Sequence, residues 1–155
     1  MATKEFEHAT DAEGKYIERM LFVIKQTNIR MDNLSKKYAR GDQRYFNDMV
    51  QELSEYEKAV DRVKASLTTA ELSQAEEAGR KAYARFWEEI APSAMDDYKR
   101  AHPGQEGTAQ EFLLQRLFAN DKFTQEEKAH VGIMFRDRYL RGLKYIYEGR
   151  PDTQQ

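Results

Sequence analysis

The sequence predicts an all-α protein, an up-and-down bundle of four long helices with a short helical hairpin inserted before the last helix. Apolar residues recur every three or four positions along most of the chain, as one buried face of a helix requires. Capping residues precede these segments, and 8 Gly and 3 Pro are few for a chain of 155 residues. No segment alternates apolar and polar residues with the period of a strand.

The first two helices are predicted to form an antiparallel hairpin. Thr10–Glu13 has the form of a capping box, and a helix is expected from there to about Arg40. Gly41 suits the left-handed residue that follows a helix, and Asp42 can cap the next one. The second helix has its apolar residues on one seam: Phe46, Met49, Leu53, Tyr56, Val60, Val63 and Leu67. So short a connection brings the two helices side by side.

The remaining sequence predicts a third long helix, a short helical hairpin and a final long helix. Capping boxes are expected to begin three of these helices, at Thr68–Glu71, Thr108–Glu111 and Thr124–Glu127. Pro92 is expected to end the third helix, because the residue before a proline is disfavoured in helical geometry. A short helix is expected over Ser93–Ala101, and Gly149 with Pro151 should close the last helix.

Composition narrows the classes of protein that the chain can represent. The absence of Cys excludes disulfides, thiolate zinc sites and cysteine nucleophiles. The sequence has no apolar run of membrane-spanning length and no apolar core of a signal peptide near its start, so a cytoplasmic location is expected. We expect one helical domain over residues 1–155, with flexible tails at about 1–10 and 150–155.

The last helix contains a spacing that dimetal helical bundles use, Glu127-Lys-Ala-His130. At about 100° per residue, His130 lies almost opposite the centre of the apolar residues of that helix. We therefore expect a solvent-exposed histidine, no metal site and no cofactor. His8 lies in the expected N-terminal tail, and His102 precedes Pro103 in an expected loop.

Basic residues are concentrated on two predicted helices, although the net charge is −2. One stripe of the first helix contains Lys15, Arg19, Arg30, Lys37 and Arg40. The last helix adds Arg136, Arg138, Arg141 and Lys144, with tyrosines between them. Arginine and lysine bind phosphate, and tyrosine stacks on unpaired bases, so these residues are candidates for binding a single-stranded nucleic acid. A basic polar face that meets an acidic partner protein is the alternative interpretation.

The apolar arc of the last helix spans about 180°, whereas a surface helix usually needs little more than about 100°. Such an arc has two interpretations, a helix at the centre of the bundle or a helix with a second face for a partner. The residues predicted to form a protein interface are Tyr139, Leu140, Leu143 and Tyr147.

These features favour a non-catalytic helical interaction module, a subunit or adaptor of a larger assembly that binds a protein partner or itself. In size, helical architecture and basic face the chain is similar to the small helical subunits of CRISPR effector complexes, which pack along RNA and displaced DNA. That resemblance implies a subunit of an RNA-guided complex. One alternative is a purely protein-binding phage or bacterial regulator or inhibitor. Another is a Mg²⁺-dependent helical hydrolase that uses Glu52 and Glu55.

Overall fold

The structure, a computed structural model, describes residues 11–39, 41–105 and 109–153, with the side chains of 150–153 left aside. These residues form six helices and no strand, which confirms the all-α prediction. The helices are α1 (Ala12–Lys37), α2 (Gln43–Ala65), α3 (Thr69–Glu89), α4 (Ala91–Ala101), α5 (Gln110–Ala119) and α6 (Gln125–Thr153). The expected flexibility of residues 1–10, 154 and 155 lies outside the described residues.

Three of the predicted helix starts have their caps. Asp42 caps α2 by accepting a hydrogen bond from the Arg44 amide at 2.9 Å, directly after Gly41 with its φ of 87°. Thr68 and Glu71 form both hydrogen bonds of a capping box at the start of α3. The corresponding pair on α6 also makes both bonds, at 2.9 and 3.1 Å between the Thr124 and Glu127 residues. Each of these three caps depends on residues within one helical turn, and each was predicted correctly.

Other helix ends differ from the prediction. Asp11, and not Thr10, caps α1 by accepting from the Gly14 amide at 2.9 Å, while Thr10 lies outside the described residues. The helix ends at Lys37 because Tyr38 is extended, with φ −114° and ψ 148°. The phenol of Tyr38 donates to Asp48 of α2 at 2.8 Å.

The later helices also differ at their ends. Pro92 lies in the first turn of α4, where no amide hydrogen is needed, so α4 starts at Ala91. Ala109 precedes α5 without a side-chain cap, and Thr108 is not described. The last helix continues beyond Gly149 to Thr153, because Gly149 does not take the positive φ of a helix-ending glycine.

Helices α1, α2 and α6 pack around the predicted seam of α2. Leu53 and Tyr56 of that seam are fully buried. Helix α6 runs in the same direction as α1, since Glu13 and His130 meet near their starts, and antiparallel to α2, since Tyr147 packs on Phe46. Alternation therefore holds between α1 and α2 and between α2 and α6. The exact up-and-down order predicted for all four long helices is not confirmed.

The buried residues form two cores, with α6 between them. The α1–α2 core contains Ile17, Met20, Ile24, Leu53, Tyr56, Val60, Val63, Ala129, Ile133 and Leu140. The α3–α5 core contains Ala82, Phe86, Ile90, Ala91, Ala94, Tyr98, Ala109, Leu113, Leu114, Leu117, Phe123, Val131 and Phe135. Because α6 contributes to both, a central helix is the correct interpretation of its wide apolar arc along its first half.

Candidate interaction surface

The second half of α6 is covered on one side only, and apolar side chains remain exposed on the other. Tyr139 and Ile146 are 54% and 57% exposed, and Tyr145 is more exposed still. Successive residues of a helix turn by about 100°, so Tyr139 and Ile146 lie within about 20° of each other. Arg136 lies about 60° from Tyr139, toward α1. These three residues therefore form one edge of a surface.

Helix α1 supplies the other edge. Phe22 and Ile29 are 60% and 46% exposed, and their spacing of seven residues places them on one ridge of α1. Between the two helices lies a groove of about 540 Å³ lined by Leu21, Ile24, Lys25, Asn28, Ile29, Asp32 and Arg136. We call the surface formed by the two helices beside this groove the α1–α6 face and define it by Phe22, Lys25, Ile29, Arg136, Tyr139 and Ile146. Phe22 itself lines the neighbouring groove between α1 and α2.

The charges of the α1–α6 face are not balanced. Within the described part of the chain, Lys25 and Arg136 have no carboxylate partner. Asp32 also lines the groove, but its carboxylate is paired with Lys36 at 3.1 Å. The face therefore combines exposed apolar side chains with two cations that are free to meet negative charge.

The predicted cationic stripe of α1 is largely bound by the chain itself. Lys15 Nζ lies 3.0 Å from Glu71 Oε2 on α3, and Arg30 Nε lies 2.7 Å from Glu52 Oε1 on α2. Glu52 and Glu55, the carboxylates suggested for a hydrolase, line the open groove between α1 and α2. Since Glu52 is held by Arg30, the two opposite charges already compensate each other.

The rest of the stripe has other neighbours. Arg19 donates to Ser66 Oγ at 2.9 Å, which leaves its charge uncompensated. Lys37 Nζ lies 5.1 Å from the centre of the Tyr38 ring, and Arg40 lies outside the described residues. The α1–α2 groove has a volume of about 680 Å³ and contains Arg19, Arg30 and also Arg62, a cation without a carboxylate partner in the described residues.

Two of the four predicted cations of α6, Arg141 and Lys144, are also paired with carboxylates. Arg141 Nε lies 3.0 Å from Asp137 Oδ1, and its Nη1 lies 3.5 Å from Glu57. Lys144 binds the same Glu57 at 3.1 Å. The Arg138 guanidinium packs over an aromatic ring of α3, 5.2 Å from the ring centre. Arg136 alone of these four belongs to the α1–α6 face.

The predicted protein interface of α6 divides in two. Leu140 is buried in the α1–α2 core, so it does not belong to an exposed surface. Leu143 and Tyr147 are half-buried against that core. Tyr139 is exposed, as an interface residue must be. Ile146, two turns further along α6, is also exposed but was not predicted.

Phe22 and Ile29 of α1 were also missed, although the sequence contained a signal for them. They are apolar residues seven positions apart within the arc of α1 that is otherwise polar. An apolar pair of this kind on a polar arc predicts a second contact surface.

The expectation of a solvent-exposed His130 was wrong. The side chain is 2% exposed, its Nε2 lies 2.8 Å from Glu13 Oε2, and the Tyr16 ring stacks beside it with ring centres 6.2 Å apart. A single core on one side of α6 would leave His130 exposed, whereas α6 is enclosed at this level by α1 and α3 together. Burial lowers the pKa of His130, although the neighbouring Glu13 acts in the opposite direction.

No family model, curated protein or solved structure matches the chain. Among the described residues, no helix has both the length and the apolar character needed to cross a membrane.

Proposed function

We propose that this protein is a non-catalytic helical interaction module, a subunit or adaptor that binds a protein partner through the α1–α6 face. The observation that carries this proposal is the exposure of Phe22 and Ile29 on α1 and of Tyr139 and Ile146 on α6, the two helices that border this groove. Exposed apolar residues that cluster around a groove are typical of a contact surface, whereas single ones are ordinary. The cytoplasmic location expected from the sequence belongs to this proposal.

The occupant that fits best is an amphipathic helix of the partner with acidic residues beside its apolar ones. Two neighbouring helices leave a long shallow groove, and a third helix can place its apolar residues into such a groove. Lys25 and Arg136 then meet carboxylates at the edges of the contact, which favours an acidic partner over a basic one.

Site-specific photo-crosslinking in the host cell tests the proposal. A benzophenone amino acid replaces Ile146 in one variant, Ile29 in a second and Lys99 in a control. Lys99 is exposed on α4, away from the α1–α6 face. We expect the same protein adduct from positions 29 and 146 and not from position 99.

Titration of the captured protein with purified variants then measures the contribution of the face. We expect Ile146→Asp to raise the dissociation constant at least about tenfold, because it places a charge in an apolar contact. Lys99→Asp should leave it unchanged. Unchanged affinity of Ile146→Asp, or the same adducts from all three positions, would contradict the proposal. An adduct to the chain itself would identify the partner as a second copy.

A second candidate function is contact with a single-stranded nucleic acid through the α1–α2 groove. It is supported by Arg19 and Arg62, which line that groove without carboxylate partners in the described residues. Fluorescence anisotropy with labelled single-stranded RNA and DNA at about 50 and 200 mM salt tests it, because phosphate contacts weaken steeply over that range. Binding that Arg19→Gln and Arg62→Gln together abolish supports this function, and absence of binding at low salt rejects it.

A further inference from the structure

A separate cavity lies between α1, α3 and α6. Its volume is about 190 Å³, and its lining includes Tyr16, Glu76, Gly79, His130, Met134 and Asp137. A cavity of roughly 150 Å³ holds a molecule the size of benzene, so this one has room for a small organic ligand.

The tautomer of neutral His130 leaves one ring nitrogen without a hydrogen-bond partner. The Glu13 carboxylate that faces Nε2 at 2.8 Å accepts a hydrogen bond, so Nε2 carries the proton and Nδ1 is an acceptor. No described residue donates to Nδ1, and the side chain is almost completely buried. A buried polar atom without a partner typically costs about 1–3 kcal/mol, so Nδ1 points to a bound donor.

Gly79 keeps that nitrogen open to the cavity. A Cβ atom at position 79 would lie 3.2 Å from His130 Nδ1, closer than ordinary van der Waals contact. Both residues line the cavity. Glycine in the middle of a helix costs about 1 kcal/mol relative to alanine. Glycine at position 79 therefore lowers the stability of α3 but leaves Nδ1 of His130 accessible from the cavity.

A second polar group of the cavity also lacks a partner. The Tyr16 hydroxyl makes no hydrogen bond with any described residue, and Tyr16 forms part of the lining. Burial raises the pKa of Tyr16 to about 12, and the negative charges of Glu76 and Asp137 act in the same direction. The Arg141 cation acts against these two carboxylates, so their negative charge reaches the cavity only in part compensated.

The carboxylates of Asp137 and Glu76 differ in how many hydrogen bonds and ion pairs they make with neighbouring residues. Asp137 accepts from the Tyr56 hydroxyl at 2.5 Å and from Arg141 at 3.0 Å. Glu76 has a looser ion pair, with 3.7 Å between its Oε2 and Lys64 Nζ. Arg80 adds a cation to the lining, and its charge is compensated by Glu77 at 2.6 Å.

We propose that this cavity binds a small organic amine in its ammonium form. The three N–H groups of an ammonium match acceptors that the cavity offers in His130 Nδ1, the Tyr16 hydroxyl oxygen and the Glu76 carboxylate. Within the described residues no three His, Asp or Glu side chains are placed to share a metal ion, so the acidic lining favours an organic cation. This site is independent of the α1–α6 face.

Long-range ¹H–¹⁵N NMR of the imidazoles, during a titration with n-butylamine at pH 7.5, tests the proposal. The chain has three histidines, so His130 can be assigned with one substitution. We expect a saturable shift of the His130 Nδ1 resonance with n-butylamine. The matched probes n-butanol and butyrate have the same chain length without the positive charge, and should cause a shift at least tenfold weaker.

Two alanine variants provide the matched comparison. Gly79→Ala should abolish the response, because its methyl group lies against Nδ1, while the intrinsic helix propensity of α3 rises. Gly142→Ala on α6 has nothing within 4 Å of the new methyl group and should respond like the wild type. Tyr16→Phe, which retains the stacked ring, should weaken the response several-fold.

Three results would overturn the proposal. The first is a His130 Nδ1 resonance that n-butylamine leaves unchanged, as expected if ordered water alone occupies the cavity. The second is an equal response to n-butanol, which would reject the cationic class of ligand. The third is full binding by folded Gly79→Ala.

Discussion

The two halves of α6 have similarly apolar sequences and different surroundings. From Gln125 to Asp137 the helix lies between two cores, with Val131 and Phe135 in one and Ile133 in the other. From residue 138 onward one side still packs on α1 and α2, while Tyr139 and Ile146 face outward. The apolar residues of α6 are therefore buried on two sides in its first half, whereas some of those in its second half are exposed.

The difference arises from where α3 contacts α6. Arg85 of α3 binds Glu127 at 2.9 Å, and Tyr83 lies under the Arg138 guanidinium. These contacts fall between residues 127 and 138 of α6, and Phe135 is the last α6 residue in the α3–α5 core. The α1–α6 face begins at this level with Arg136, which lines the groove beside α1.

The largest effect that follows from this comparison is that of Ile133→Ala. Ile133 is buried in the α1–α2 core, so removing three carbon atoms leaves a cavity there. Substitutions of this kind typically lower the free energy of unfolding by about 2–5 kcal/mol. Urea denaturation followed by circular dichroism measures it, and a loss below about 1 kcal/mol would show that the first half of α6 is not the central helix of the fold.

A smaller effect is expected from the pH dependence that His130 gives to stability. Burial lowers the pKa of His130 in the folded protein below its unfolded value of about 6.5. The folded state then favours the neutral ring, so the contribution is complete above pH about 6.5 and is lost as the pH falls below it. The slope for one proton cannot exceed about 1.4 kcal/mol per pH unit.

The matched control for this prediction is His130→Gln, which cannot take up the proton. Denaturation of both proteins between pH about 7.5 and 5.5 keeps the window above the range in which carboxylates of unperturbed pKa titrate. Wild-type stability should fall toward pH 5.5 and that of the variant should change less. If stability fell equally with pH in both proteins, groups other than His130 would be responsible for the pH dependence.

Sequence patterns predicted the helices and their caps well because those features depend on neighbouring residues. The capping residue Asp42, the Thr68–Glu71 box and the seam of α2 each depend on side chains within one or two turns. The central position of α6 was one of two interpretations of its arc. Choosing between them required the packing of α3, which no local pattern contains.

The cationic stripe and His130 show what local patterns omit. Lys15 pairs with Glu71 and Arg30 with Glu52, over separations of 56 and 22 residues, so these two cations of the stripe are compensated by helices distant in sequence. His130 meets its carboxylate across 117 residues. A helical wheel assigns exposure relative to one core and fails where a helix borders two.

The smallest effect expected on stability is that of Ile146→Ala, the same substitution as Ile133→Ala in the other half of α6. Ile146 is more than half exposed, so its truncation should change the free energy of unfolding by less than about 0.5 kcal/mol. Helix propensity favours alanine over isoleucine and opposes even that loss. A loss comparable to that of Ile133→Ala, measured by the same urea denaturation, would mean that position 146 is buried and would remove it from the α1–α6 face. A near-zero change would show that the fold does not need this side chain to be apolar, as the proposed contact with a partner requires.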